Sequence, residues 1–242
     1  MKEVLQKIIA TSGLASRREA GELIKQGSVK LNGRRAVLGD RAELGHDLIT
    51  VKGRPLAAPQ SLIYLKFNKP AGYTCTNRSF VGEKNIFELI PFHERLFSIG
   101  RLDKDSRGLI LLTNDGALTQ KLAHPRFRHE KTYRILIGDD KTAPIELKLG
   151  QRYANSFMAG VDIGLGDGIV KAKRAQYLQS NVFIITLSEG KKRQIRRMFA
   201  TFNLKIKDLQ RINFAGLKLD DLPEGEWRKL SVAELKMLSY EK

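Results

Sequence analysis

A short polar segment between two apolar runs carries the residue types that could do chemistry. Residues 100–107 read Gly-Arg-Leu-Asp-Lys-Asp-Ser-Arg. Carboxylates serve in acid–base catalysis, as nucleophiles and as metal ligands. Paired acid–base work by Asp103 and Asp105 is disfavoured, because we expect these two side chains of the polar loop to point in opposite directions. Asp103, beside Arg101, is therefore the best single candidate.

Other kinds of site have weaker support. A magnesium ion on Asp103 and Asp105 would be repelled by Arg101, Lys104 and Arg107. The four histidines, at 46, 93, 124 and 129, lack metal-ligand spacing. The Gly-rich span 160–168 predicts a loop or hairpin without a Walker lysine pattern, and nothing resembles a nucleophile elbow, although a Ser–His–Asp triad stays open. We therefore expect no metal site, and we assign no nucleotide to the Gly-rich span.

The surrounding elements predict that core strands hold the polar segment. Leu96, Phe97 and Ile99 indicate the end of one buried strand, and the apolar run 109–112 a second. Asn114 to Gly116 predict a turn and the start of a helix to about 123. Further strands are predicted at 63–67, 129–137, 169–178 and 181–187. Further helices are predicted at the apolar stripe Ile195, Met198, Phe199 and Phe202, and from about Val232.

The first 58 residues predict a separate small unit. Ser16 and Glu19 have capping-box spacing at the start of its second helix, and Asn32-Gly33 predicts a hairpin turn. Residues 54–61 contain two prolines, which predict a stiff linker. We therefore expect two domains, 1–58 and 62–242, in an α+β protein.

Charge and composition indicate the class of partner. Lys and Arg number 43 against 26 Asp and Glu, a net charge of +17, and eight basic residues between 191 and 211 face one acidic residue. This balance favours a nucleic-acid partner. The single cysteine, Cys75, fits a reducing compartment, and no signal peptide or membrane span is apparent. We expect a soluble cytoplasmic protein, monomeric because no coiled-coil pattern argues for a dimer.

Several motifs resemble known families. Ser16-Arg-Arg-Glu-Ala20 and Val29-Lys-Leu-Asn-Gly33 resemble an S4 RNA-binding module. Gly100-Arg-Leu-Asp103, the run 108–116, Lys131-Thr-Tyr133 and the run 189–198 together resemble the RsuA/RluB/RluE/RluF family of ribosomal RNA pseudouridine synthases. The resemblance covers nearly the whole chain and is nearest to the branch that modifies large-subunit RNA near the peptidyl-transferase centre. Lys192 departs from the family, where Asn or Tyr is expected.

The resemblance implies a reaction and a site. Uridine would become pseudouridine without a cofactor, in a catalytic domain with a mixed, mainly antiparallel sheet flanked by helices. Asp103 would act as nucleophile or base on a flipped-out uridine, Arg196 would keep it ionised, and Tyr133 would stack on the uracil. Ile195 would pack against the base, and Arg101 would hold the loop or a flanking phosphate.

The basic residues would bind ribosomal RNA, with tRNA as a possible second substrate. Phosphate contacts are expected from two groups, one beside the site (Lys191, Lys192, Arg193, Arg197) and one in the S4 module (Arg17, Arg18, Lys30, Arg34, Arg35). Three alternatives stay open: a small-subunit 16S rRNA pseudouridine synthase, a non-catalytic RNA-binding or ribosome-assembly protein, and a magnesium-dependent RNA hydrolase using Asp103 and Asp105.

Overall fold

The computed structural model describes residues 1–58, 60–76, 81–138 and 143–240, and side chains as far as 238. Residue 59 of the predicted linker, and residues 77–80, 139–142 and 241–242 of the predicted second domain, lie outside the described part. The chain divides into two compact units. The first contains Met1–Ile63, Phe92–Leu96 and Asn114–Gly116, and the second contains the remainder.

Two short helices begin the first unit, α1 (Leu5–Thr11) and α2 (Arg17–Lys25). The predicted capping box is confirmed at the start of α2. The Glu19 amide donates to the Ser16 hydroxyl at 3.1 Å, and the Ser16 amide donates to the Glu19 carboxylate at 2.7 Å. These bonds satisfy amide groups that a helix start otherwise leaves unpaired.

Short strands complete the first unit, and the helices bury their apolar faces against them. The strands are β1 (Glu3–Val4), β2 (Val29–Leu31), β3 (Arg34–Arg35), β4 (Arg41–Ala42), β5 (Ile49–Val51) and β6 (Arg54–Pro55). Four of them form a sheet in the order β3-β2-β5-β6, and β1 pairs with β4. The predicted turn between β2 and β3 is confirmed, with positive φ angles of 50° at Asn32 and 84° at Gly33.

A mixed sheet forms the second unit. Its strands are β7 (Tyr64–Lys69), β8 (Phe97–Ile99), β9 (Arg107–Thr113), β10 (Lys131–Ile137), β11 (Val161–Asp162), β12 (Ile169–Val170), β13 (Arg174–Tyr177), β14 (Val182–Leu187), β15 (Ile206–Phe214), β16 (Leu217–Lys218) and β17 (Trp227–Lys229). The order is β13-β14-β10-β15-β9-β7-β17, with β8 on β9, β16 on β15, and β11–β12 as a separate hairpin. Strands β15 and β9 run parallel, and the other neighbours run antiparallel.

Four helices accompany this sheet: α3 (Gly116–Ala123), α4 (Leu147–Ala159), α5 (Gln194–Ala200) and α6 (Val232–Tyr240). Two 3₁₀ turns lie at Ile86–Leu89 and Pro125–Phe127. The α+β class and the mainly antiparallel sheet agree with the prediction, whereas α4 and β15 were not predicted. Among helices of the described residues, none is long and apolar enough to cross a bilayer.

Three buried phenylalanines connect α4, α5 and the sheet. The Phe157 ring of α4 lies 4.7 Å from that of Phe199 on α5, and the Phe199 ring lies 5.1 Å from that of Phe183 on β14. Aromatic rings at such separations pack favourably beyond their buried area. This cluster fixes α5, and hence its polar face, against the sheet.

Strand β7 differs from its prediction. Alternation over 63–67 indicated a half-buried strand, yet the residues after Tyr64 are all buried, including Lys66 and Lys69. The Lys66 ammonium donates to the Asp220 carboxylate at 2.6 Å. Long-range partners of this kind satisfy a buried charge, and local alternation does not reveal them.

Candidate active site

The segment predicted to carry catalysis is a loop between β8 and β9. The Ser106 amide donates to the Asp103 carbonyl at 3.0 Å, which turns the loop. Leu102 is buried, and its amide lies 3.4 Å from the Cys75 sulfur. The half-buried Asp103 side chain lines a cleft of about 650 Å³, a size typical of ligand sites.

Lys69, at the end of β7, donates hydrogen bonds to the backbone of this loop. Its fully buried ammonium donates to the carbonyl oxygens of Pro70, Lys104 and Ser106 at 3.0, 3.2 and 2.6 Å. Burial lowers the pKa of Lys69, and nearby Cys75 and acidic groups oppose that shift. The bonds to the Lys104 and Ser106 carbonyls restrict the loop backbone next to Asp103.

Asp103 and Asp105 have different surroundings, because the backbone turns between them, as the bond from the Ser106 amide to the Asp103 carbonyl shows. Asp103 lines the cleft, whereas the Asp105 carboxylate is 64 % exposed and lies 3.8 Å from Arg193. Arg107, also in the polar segment, makes two bonds to Asp208 of β15 at 2.7 and 2.8 Å. Arg107 therefore anchors the loop to the sheet and does not face the cleft.

Tyr133 enters the cleft from β10. It is 9 % exposed, and it pairs across the sheet with Arg211 of β15. Lys131 lies two residues earlier on the same strand and lines the same cleft. Burial, and then the charge of Arg211, lower the pKa of Lys131 to about 8.

Helix α5 supplies the third predicted catalytic residue. Arg196 lines the cleft, and its Nη2 donates to the main-chain carbonyl of Asp105 at 3.1 Å. Burial and then Arg193 lower the pKa of Arg196, while the charges of Asp105 and Asp103 raise it. The Asp103 carboxylate makes no hydrogen bond to Arg196 within the described residues, so their interaction is electrostatic. Ile195, 5 % exposed, adds an apolar wall.

The rim of the cleft is basic. Arg101, Lys192 and Arg193 are exposed residues of its lining, and Lys191 is half-buried there. Arg193 has a left-handed backbone with φ of 51°, which is uncommon for a residue other than glycine. Cations at the mouth of a cleft suit contact with phosphate groups.

Arg197 requires a correction, because it was predicted to bind substrate beside these residues. Within the described residues it is not part of the cleft lining. Its guanidinium donates to the Asp167 carboxylate at 2.5 Å and to the Ile163 carbonyl at 2.9 Å. These bonds attach α5 to the β11–β12 hairpin. Arg197 lies outside the cleft although Arg196 lines it, because adjacent residues point to different sides of a helix.

The basic residues of the first unit that were predicted to bind RNA differ in their contacts within the protein. Arg17, Arg18 and Lys30 are exposed. Arg34 makes two bonds to Asp40, both at 2.9 Å, and Arg35 donates to the Lys25 carbonyl at 3.1 Å. The first three cations are therefore better placed for phosphate contact than the last two.

Sequence reasoning missed three residues that shape the cleft: Lys69, Lys131 and Arg211. The spacing of Lys131 and Tyr133 was a usable signal, because strand residues two apart share a face. No local pattern marks Lys69 or Arg211 as buried. Among the described residues, no group of three or more His, Cys, Asp or Glu is placed to hold a metal ion.

Comparisons with known proteins agree with this geometry. Residues 63–201 match the family described as RNA pseudouridylate synthase, and residues 5–48 match the S4 domain. The chain is 40 % identical over 234 residues to the dual-specificity RNA pseudouridine synthase RluF of Escherichia coli strain K12, covering 96 % of this chain and 76 % of that protein. It is 35 % identical to the ribosomal large subunit pseudouridine synthase B of Bacillus subtilis, covering 98 % and 95 %.

A solved structure extends the agreement to three dimensions. A crystal structure of a pseudouridylate synthase superposes with a TM-score of 0.68 at 31 % identity, covering 97 % of this chain and 99 % of that one. An enzyme of this kind accounts for the S4 module, the cationic cleft and the Asp103 carboxylate on its lining. The expectation of a pseudouridine synthase is confirmed, and the alternative of a non-catalytic RNA-binding protein is not. This chain belongs to the RNA pseudouridine synthase family and is an RluF-like enzyme with an S4 domain.

Proposed function

We propose that Asp103 is the catalytic carboxylate and that the substrate is a single uridine of 23S rRNA near the peptidyl-transferase centre. The observation that carries the proposal is the presence of Asp103, Tyr133 and Arg196 on the lining of one cleft with a basic rim. The flipped-out uracil stacks on Tyr133 and packs against Ile195, which excludes water from the sugar. Arg196 brings a positive charge to the same lining, where it is attracted to Asp103: the charges of Asp105 and Asp103 raise the pKa of Arg196 against the effect of burial.

Asp103 has two chemical routes, and both break the bond between C1′ and N1. As a nucleophile, the carboxylate attacks C1′ and the electron pair of the broken bond leaves with the uracil. As a base, it takes the proton from C2′ and the uracil is eliminated. In both routes the uracil then turns and C5 bonds to C1′. In the first route the bond between the carboxylate and C1′ breaks as this bond forms, and in the second route C2′ takes back its proton. C5 then loses its proton and N1 gains one. Deuterium at C2′ slows the reaction in the second route, which distinguishes the two.

The substrate class rests on the relatives and on charge. One relative acts on the large ribosomal subunit by its name, and another is named for dual RNA specificity. We therefore infer a 23S target with tRNA as a second substrate, bound by the S4 module (residues 1–58) and the catalytic domain (residues 62–242). Modification of 16S rRNA is the second candidate. The enzyme works in the cytoplasm as a monomer.

The test is pseudouridine mapping of rRNA and tRNA from cells that lack the protein. Loss of one 23S site is expected, with restoration by wild type and by Asp105→Asn, but not by Asp103→Asn. Asp105→Asn is the matched control because its carboxylate lies outside the cleft lining. Restoration by Asp103→Asn would remove Asp103 from catalysis, and a lost site in 16S rRNA alone would favour the second candidate.

A further inference from the structure

Two cations lie together on the wall of the cleft beside Tyr133. Lys131 and Tyr133 both line the cleft from β10, and Arg211 lines it from β15 opposite Tyr133. Both cations flank the ring of Phe214: the Lys131 ammonium is 5.8 Å, and the Arg211 guanidinium carbon 5.1 Å, from its centroid. One face of the β10–β15 pair thus combines the predicted stacking residue with two positive charges.

Arg211 carries a buried charge without a counter-charge. It is 2 % exposed, and its Nε donates to the Leu109 carbonyl at 2.7 Å. Its Nη2 is buried without a hydrogen-bond partner, and no carboxylate pairs with it in the described parts of the chain. Burying a cation without a counter-charge costs folding free energy. Because Arg211 lines the cleft, we infer that its positive charge interacts with a ligand bound in the cleft.

Lys131 has donors left for a ligand. Its ammonium donates to the His129 carbonyl at 3.1 Å, and an ammonium has three N–H groups. In the residues that the structure describes, no carboxylate forms an ion pair with it. Lys131 is half-buried and lines the cleft, so a bound base can meet its remaining donors.

The reaction creates negative charge on the uracil. When the bond between C1′ and N1 breaks, its electron pair stays on the uracil, where it spreads over N1 and the carbonyl oxygens O2 and O4. The charge is removed when C5 bonds to C1′, the proton leaves C5, and N1 takes up a proton. Fixed positive groups directed at such developing charge lower the barrier because they need no reorganisation.

We propose that Lys131 donates a hydrogen bond to a carbonyl oxygen of the target uracil, and that Arg211 behind it adds positive charge, so that the pair stabilises the uracil anion. This inference rests on the proposed function, since it requires the uracil to lie in the cleft of Asp103 and Tyr133. It assigns Lys131 a catalytic contact and makes Arg211 a positioning residue that acts through its field.

The first experiment replaces Lys131 by methionine, which has similar length and no charge. Release of tritium from C5 of uridine is measured in a single turnover, on the 23S rRNA transcript or on the 16S transcript if wild type acts there. We expect the rate at saturating enzyme to fall about 100-fold and the RNA Kd to stay within about twofold. An unchanged rate overturns the proposal. So does a weaker Kd with an unchanged rate, which indicates a phosphate contact.

Asp103→Asn, run beside it, separates this proposal from the proposed function. If Asp103→Asn is inactive while Lys131→Met reacts at the wild-type rate, the proposed contact of Lys131 with the uracil is wrong and the proposed function stands. If Asp103→Asn reacts like wild type, the proposed function fails as well. Loss of activity in Asp103→Asn together with the expected Lys131→Met result supports both.

A pH profile gives a second readout that needs no methionine variant. Arg211 on β15 is the charged group that lowers the pKa of Lys131 beside the effect of burial. The cleft lining that they share also contains His129, Glu189, Asp103 and Arg196. Because Lys131 loses its proton near pH 8, the wild-type rate should fall above that pH. In Lys131→Arg, whatever its rate at neutral pH, the fall above pH 8 should be absent, since a guanidinium stays protonated. A wild-type rate that is level from pH 7 to about 9 overturns the proposal.

Discussion

Arg196 donates a hydrogen bond from Nη2 to the main-chain carbonyl of Asp105 at 3.1 Å. Through this bond, α5 contacts the backbone of the loop that carries Asp103. Lys69 holds the same loop from the end of β7. The candidate carboxylate is thus supported from two elements that are far apart in the sequence, which keeps a reactive group in fixed geometry.

Arg196→Lys tests the support from α5. Lysine keeps the positive charge but lacks the planar guanidinium that reaches the carbonyl. We expect pseudouridine formation to fall at least about 10-fold, because small misplacement of a catalytic group is costly. The free energy of unfolding in urea should change by about 1 kcal/mol or less. Arg152→Lys is the control, because Arg152 is exposed on α4 and lies outside the cleft lining. Wild-type activity in Arg196→Lys would contradict the role of this bond.

Gly108→Ala tests the close approach of β9 to β15. Gly108 has a φ of 104°, and a Cβ there would lie 2.7 Å from the Arg211 backbone nitrogen. We expect a loss of about 2–4 kcal/mol in the free energy of unfolding, the sum of backbone strain and a steric clash. Gly225→Ala is the control, since Gly225 has a φ of 85° with open space around it. Equal losses of unfolding free energy in the two variants would show that the close approach of β9 to β15 does not contribute to the effect of Gly108→Ala.

Glu234→Gln tests an ion pair near the carboxyl-terminal helix. Two Arg228 nitrogens donate to the Glu234 carboxylate, both at 2.7 Å, and the Ser231 amide donates at 2.8 Å. The Arg228 bonds, with help from Ser231, lower the pKa of Glu234 from 4.5 to about 2. Folding therefore gains from this carboxylate above about pH 4.5, and the gain is lost as the pH falls towards 2.

The measurement is urea unfolding of wild type and Glu234→Gln at several pH values. The wild type should be more stable by a constant amount from pH 7 to about 5.5, and the difference should shrink below about pH 4.5. Glu226→Gln is the control, because the Glu226 side chain is exposed. A difference that grows towards acid pH would show that the sign of this linkage is wrong.

Arg17→Gln tests RNA binding by the S4 module. Arg17 is exposed at the start of α2, and losing one phosphate contact should reduce the slope of log K against log salt by about 0.7–0.9. Arg34→Gln should reduce it less, because Arg34 is already paired with Asp40. RNA binding measured between about 50 and 200 mM salt checks this. Equal slopes for wild type and Arg17→Gln would exclude an Arg17 contact.

The sequence by itself determined the features that depend on neighbours in the chain. The capping box at Ser16, the turn at Asn32-Gly33, strands β8 to β10 and the apolar stripe of α5 follow from local hydrogen bonding and from periods of 2 and 3.6 residues. Motif resemblance added the family and drew attention to Asp103, Tyr133 and Arg196. Each of these signals lies within about ten residues of chain.

Only the tertiary structure decided which charges are buried and what they contact. Lys69 and Arg211 look like solvated cations in the sequence, yet both are buried, because strands distant in sequence cover them. The tertiary structure also decided the partner of Arg197, which donates to the Asp167 carboxylate and lies outside the cleft lining. Strand β15 was missed because its basic residues obscure the alternation of apolar and polar residues. The structure shows that it pairs with both β10 and β9. A cationic wall beside Tyr133 exists only once those strands are side by side.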